Sequence, residues 1–128
     1  MVSFYHAAVS DVPGNLTMHK VVGRLDNSTV SMTGAKLAFK SNEIVPVSIR
    51  SVTLDTVILE SEPVTLLKID VQGWEYHLPK GASHLLSRVP GDAPYIIYED
   101  DEKLLRESNT SSKNIRDFFW LAWVMILA

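Results

Sequence analysis

The sequence predicts an α/β fold, and three observations carry that prediction. The run Val64-Thr65-Leu66-Leu67-Lys68-Ile69 is short, apolar and β-leaning, and it ends at Asp70 just before a glycine turn at Gly73. Trp74 to Ser87 then carries apolar residues at Leu78, Ala82, Leu85 and Leu86, the spacing of a helical stripe. Tyr95-Ile96-Ile97-Tyr98 follows as a second buried strand. Strand, helix and strand from Thr65 to Glu99 form a βαβ unit, whose parallel strands are joined by a right-handed crossover. At 128 residues the chain has room for a single domain.

The other elements follow along the chain. Val2 to Val9 is rich in aromatic and apolar residues and reads as a strand. Asp11-Val12-Pro13-Gly14-Asn15 is turn chemistry, with Pro and Gly setting the backbone. Asn15 to Val22 alternates loosely through Leu16, Met18 and Val21, as a strand does. Arg24 to Ser28 is a polar loop, Thr29 to Thr33 a short strand, and Gly34 to Asn42 has no clear pattern. Glu43 to Arg50 alternates through Ile44, Val45, Val47 and Ile49. Pro46 inside it favours an edge position, because proline cannot donate to a ladder.

Ser51 to Ile58 reads as a short helix or turn capped by Ser51 or Thr53. Glu60 to Pro63 is a linker. Pro79 sits early in the helix after Gly73, where it is expected to kink the helix or delay its start. Asp100 to Asn109 is acidic, then helical or irregular, and Ser111 or Ser112 caps a helix from Lys113 onward.

Composition narrows the function classes. The net charge of −3 and the scattered basic residues give no footprint for nucleic acid. With no cysteine there is no disulfide, thiolate metal site or cysteine nucleophile. Met1 to His6 has neither the basic nor the apolar region of a signal peptide. A cytoplasmic location is therefore the default expectation. Three N-x-S/T sequons occur at Asn15, Asn27 and Asn109. The histidines His6, His19, His77 and His84 show no convincing metal spacing and are read as structural, so no metal site is expected.

Asp70 stands where a strand ends, and ligands of open α/β sheets bind beyond the carboxyl ends of strands. It either starts a turn, or it orients a hydroxyl, takes up its proton or binds a divalent metal. Glu75, five residues on, is either a second acid or a favourable charge at a helix N-terminus. Trp74 is a packing residue or a substrate-facing aromatic. Glu99 either lines a pocket or belongs to a solvated acidic run, Glu99-Asp100-Asp101-Glu102.

The string LLKIDVQGWEYHLPKGASHLL resembles the signature of the FkbM family of S-adenosylmethionine-dependent methyltransferases, particularly plant members. His6-Ala7-Ala8-Val9-Ser10-Asp11 and Ala93-Pro94-Tyr95-Ile96-Ile97-Tyr98-Glu99 resemble two flanking segments of that family. The resemblance spans roughly Val2 to Phe118. It implies a partial class I methyltransferase sheet, Rossmann-like, with a β-hairpin insertion and an apolar helix at the end. It implies S-adenosylmethionine as cofactor and methyl transfer to a small-molecule or sugar hydroxyl. By the same resemblance Asp70 and Glu75 are catalytic, Ser10 and Asp11 contact the cofactor, and Trp74 and Glu99 contact substrate.

The chain departs from the family in three ways, the smallest being Pro79, where the family usually has an apolar helix-former. No glycine-rich G-x-G turn follows a strand, and no ribose-holding acid is evident. The resemblance starts at the family's third strand, which leads us to expect a gapped sheet with exposed edges, low stability, self-association through those edges and impaired activity. The other departure is the uncharged run Phe119 to Ala128, which lies outside the family pattern. That gives a domain over residues 1–118 and an apolar tail over 119–128. The tail is too short to cross a bilayer, which takes about twenty residues. The alternative function is a non-catalytic fragment acting by association, or a small-metabolite-binding α/β module.

Overall fold

A computed structural model of the chain describes residues 2–23, 29–30, 43–99 and 101–121. The loop expected at Arg24 to Ser28, the segment Gly34 to Asn42, the later part of the Thr29 strand, the Asn27 sequon and the tail beyond Leu121 lie outside them. The described elements are five strands and five helices. The strands are β1 (Ala8–Val9), β2 (Gly14–Val21), β3 (Ile44–Val52), β4 (Leu66–Ile69) and β5 (Tyr95–Tyr98). The helices are α1 (Leu54–Val57), α2 (His77–Lys80), α3 (Ser83–Leu86), α4 (Glu102–Glu107) and α5 (Ser112–Leu121). The result is a mixed α/β fold with small sheets.

Among the described residues the strands form two separate sheets, ordered β1-β3-β2 and β4-β5. β2 and β3 are antiparallel over eight pairs, from Gly14↔Ser51 to Val21↔Ile44. The first expected strand is shorter than its composition suggests, since only Ala8 and Val9 pair, in parallel, with Ser51 and Val52. Val2 and Phe4 instead stay almost fully exposed.

Pro46 fits its strand for a local reason. β3 is the middle strand only at its C-terminal end, where β1 joins it. The backbone bond from Val22 to Glu43 fixes the antiparallel alternation. Pro46, opposite His19, therefore falls at a non-hydrogen-bonded position, with its nitrogen toward the open side. The edge expected for Pro46 thus exists at that residue, though not for the whole strand.

β4 and β5 run parallel from Leu66↔Tyr95 to Ile69↔Tyr98. Leu67, Ile69, Ile96 and Tyr98 point into the core, while Leu66, Lys68, Tyr95 and Ile97 point outward. This corrects the expectation of two fully buried strands. Among the described residues helices cover one face only, so Leu66 remains 51% exposed.

The predicted helical stripe is entirely in the core: Leu78, Ala82, Leu85 and Leu86 pack with Ile69, Ile96, Leu105, Ile115 and Phe119. The stripe is divided between two single-turn helices, α2 and α3. Pro79 does not delay the start, because α2 begins at His77 and Pro79 falls where a first-turn N–H needs no partner. The break comes two residues later, at Gly81. A Cβ built there would stand 2.0 Å from the Ser10 carbonyl oxygen and 3.2 Å from Thr53 Cβ. Asp55, from α1, caps the second turn by accepting from the backbone nitrogens of His84 and Leu85, both at 3.0 Å.

The caps at Thr53 and Ser111 fall where the sequence signals put them, and Asp101 adds one inside the acidic run. Thr53 is the N-cap of α1. Asp101 caps α4 by accepting from Lys103 N at 2.8 Å. Ser111 Oγ accepts from Asn114 N at 3.3 Å and caps α5. Asn109 takes a left-handed φ of 57° after α4, a conformation that asparagine tolerates better than most residues.

Replacing Gly81 by alanine is expected to cost about 2 kcal/mol, because the clash is with backbone and cannot be relieved by a rotamer change. Urea unfolding of the wild-type and Gly81→Ala chains measures the difference. Asp55→Ala is expected to lower the unfolding free energy by about 1 kcal/mol through loss of the α3 cap.

Candidate functional site

Asp70 closes β4, and the chain then turns sharply through Gln72 (φ 49°) and Gly73 (φ 92°). A side chain on Gly73 would meet the Leu104 carbonyl oxygen at 2.8 Å, so the turn is pressed against α4. Left-handed backbone at a non-glycine residue is costly and clusters at functional loops. The turn is held from several directions. Thr29 Oγ1 donates to Gln72 O at 3.0 Å, Ser108 Oγ donates to Gly73 O at 2.8 Å, and Gly73 N donates to Glu75 Oε1 at 3.1 Å.

The two predicted acids meet opposite fates. Asp70 is exposed, bonded to Lys68 Nζ at 3.0 Å and to Gln72 Nε2 at 3.2 Å. The Lys68 ammonium is the main reason its carboxyl lies below the ordinary range. Glu75 is 3% exposed. Its second oxygen, Oε2, is buried without a hydrogen-bond partner. Burial pushes its carboxyl above the ordinary range, against the pull of nearby backbone amides.

Ser10 and Asp11, which follow β1, come together with the turn after β4. Trp74 Nε1 donates to Ser10 Oγ at 3.0 Å, and Ser10 Oγ donates to Asp11 Oδ1 at 2.9 Å. Asp11 Oδ2 lies 3.3 Å from His77 Nδ1 and 3.8 Å from Lys80 Nζ. Burial raises the Asp11 carboxyl, but the Ser10 hydroxyl and His77 outweigh it and leave it below its ordinary value. His77 stacks on Trp74 with centroids 4.0 Å apart and planes at 21°. Its Nε2 lies 3.5 Å from the Ser108 carbonyl.

A cleft of about 390 Å³ opens between these residues and the three-stranded sheet. Phe4 to Val9, Met18 and Ile49 line one side, and Asp70, Val71, Gln72 and Trp74 the other. Such a volume is within the usual range for a small-molecule site. A larger cleft of about 470 Å³, lined by Glu60 to Thr65 and Arg88 to Tyr95, lies at the opposite, N-terminal end of β4 and β5. Binding chemistry in α/β sheets favours the carboxyl end, and hence the first cleft.

Of the predicted residues, Asp70 and Trp74 line this cleft, whereas Ser10, fully buried, and Asp11 do not and reach it only through Trp74 and His77. Glu75 sits behind the turn and is not among the cleft-lining residues. Glu99 is exposed just beyond β5, outside the cleft. His77 and Lys80 join the cluster although the histidine spacing suggested only structural roles. The available signal was the Trp74–His77 separation of three, which sets two rings on one side of a helical turn.

The family model for the Methyltransferase FkbM domain matches residues 1–122. The chain belongs to the FkbM methyltransferase family. No curated protein and no solved structure matches it. Family membership agrees with the mixed α/β fold, and the signature string coincides with β4, its turn and the two short helices.

The raised Glu75 carboxyl gives a pH dependence of defined sign. An acid whose folded value lies above its unfolded value favours the fold at low pH, and that contribution is lost as pH rises. The wild-type chain is expected to lose stability from the ordinary glutamate range upward toward the folded value. Glu75→Gln is expected to flatten that decline in urea midpoints taken from pH 4 to 8; an unchanged slope would contradict the assignment.

Proposed function

We propose that the cleft beside Asp70 and Trp74 serves methyl transfer from S-adenosylmethionine to a hydroxyl oxygen of a small molecule or sugar. The observation that carries this reading is the lining itself, an exposed carboxylate at a strand end facing the aromatic residues Phe4, Tyr5 and Trp74. A carboxylate and aromatic faces together attract a cation, and a sulfonium is one. The residues present thus suit the charged centre of the cofactor. When bound, S-adenosylmethionine supplies a methyl group activated by its positive sulfur.

The chain's own residues have distinct parts in this reading. Asp70 accepts a hydrogen bond from the acceptor hydroxyl and takes up its proton. Trp74 bounds the acceptor. Ser10, fully buried, and Asp11 stand behind this lining, where they hold Trp74 and His77, so the cofactor contact expected of them is indirect in this reading. Glu75 supports the turn that aims Asp70 rather than touching the reactants. Orientation in the cleft supplies most of the acceleration, as expected where proximity dominates. β4 and β5, parallel and joined by helical turns, correspond in this reading to strands of a Rossmann-like class I sheet. The absence of a G-x-G turn from these 128 residues leaves fewer contacts for the cofactor and predicts weak activity for this chain alone.

Calorimetric titration with S-adenosylmethionine and S-adenosylhomocysteine tests the reading. Preferred binding of the charged methionine form is expected, and Asp70→Asn should weaken that form more than the neutral one without changing the melting temperature. A folded chain that takes up neither would end this assignment.

A further inference from the structure

We infer that His77 is a positioning residue that fixes Trp74 as one wall of the cleft; its effect on binding rests on the methyltransferase reading above. The indole is held at two points. Its Nε1 donates to the buried Ser10 hydroxyl at 3.0 Å, and one ring face is covered by the His77 imidazole at 4.0 Å. Trp74 also lines the cleft. The imidazole cannot slide away, because Nδ1 faces Asp11 Oδ2 at 3.3 Å and Nε2 faces the Ser108 carbonyl at 3.5 Å. Tyr76 adds an edge contact 6.0 Å from the imidazole, between ring centroids. Segments after β1, after β4 and after α4 therefore converge on one imidazole, whose flat face backs the tryptophan.

A fixed aromatic wall binds at lower entropic cost than a mobile one, because its rotamer is already chosen. His77 thus acts on the cleft without touching its contents. Asp11 acts one step further back, by orienting the ring.

The test separates the stack from the hydrogen bonds. His77→Phe retains a flat ring against the indole and loses the bond to Asp11; His77→Ala loses both. The ¹H–¹⁵N heteronuclear NOE of the Trp74 indole, identified with Trp74→Phe, should fall in His77→Ala as the ring gains mobility and return toward the wild-type value in His77→Phe. Affinity for S-adenosylmethionine should fall about tenfold in His77→Ala, the scale of one lost aromatic contact, and largely recover in His77→Phe. An indole as rigid in a folded His77→Ala protein as in the wild type overturns the positioning role, as does unchanged affinity beside a binding wild type. If the wild type does not bind S-adenosylmethionine, the methyltransferase reading fails, and the indole signal alone decides for or against His77.

Discussion

The contact between Gly81 and the Ser10 carbonyl sets the geometry of everything around the cleft. Ser10 leaves the end of β1, and Gly81 separates the two helical turns that follow β4. At 2.0 Å a Cβ would overlap the carbonyl, so the backbones meet with no side chain between them. That approach puts the Ser10 hydroxyl within reach of Trp74, and Asp11 within reach of His77 and Lys80. It also divides one helical stripe into two turns, and Asp55 supplies the second turn with the cap it needs.

The acids of the β4 turn illustrate how five residues of separation lead to opposite environments. Asp70 remains in water beside an ammonium group, which keeps it ionised and able to accept hydrogen bonds. Glu75 is drawn under the turn by the Gly73 amide and gives up solvent on its other oxygen. Leaving a buried carboxylate oxygen unpaired is expensive, and the usual relief is to hold a proton. One acid is thus available to the cleft, and the other belongs to the scaffold of the turn.

Much of this was legible in the chain, and the reasons are local. β4, β5 and the stripe at Leu78, Ala82, Leu85 and Leu86 could be read because periodicity and turn residues agree there. The caps at Thr53 and Ser111 could be read because Thr and Ser favour the residue before a helix; Ser111 accepts from the Asn114 amide, whereas Thr53 makes no side-chain bond to the amides of its helix. What escaped was set at a distance. The division into two sheets, the outward face of β4 and β5, and the short β1 depend on which segments find partners, and no window of sequence contains that information. For the site, Asp70 and Trp74 line the cleft, while Ser10 and Asp11 lie behind it, bonded to Trp74 and paired with His77. The burial of Glu75 and the recruitment of His77 follow instead from the approach of α4 and the Ser10 loop.

The two sheets meet without a shared ladder among the described residues, and this bears on how the molecule breathes. β1-β3-β2 and β4-β5 each keep their own backbone pairing. Across the join run side-chain bonds such as Thr29 to Gln72 and Trp74 to Ser10. Side-chain bonds can be broken a few at a time, whereas a ladder resists opening as a unit. Local opening with both sheets intact is thus expected to cost less than global unfolding, while the backbone bond from Asp55 N to Gly81 O at 3.0 Å and the Gly81–Ser10 approach keep the two sides tied near α1.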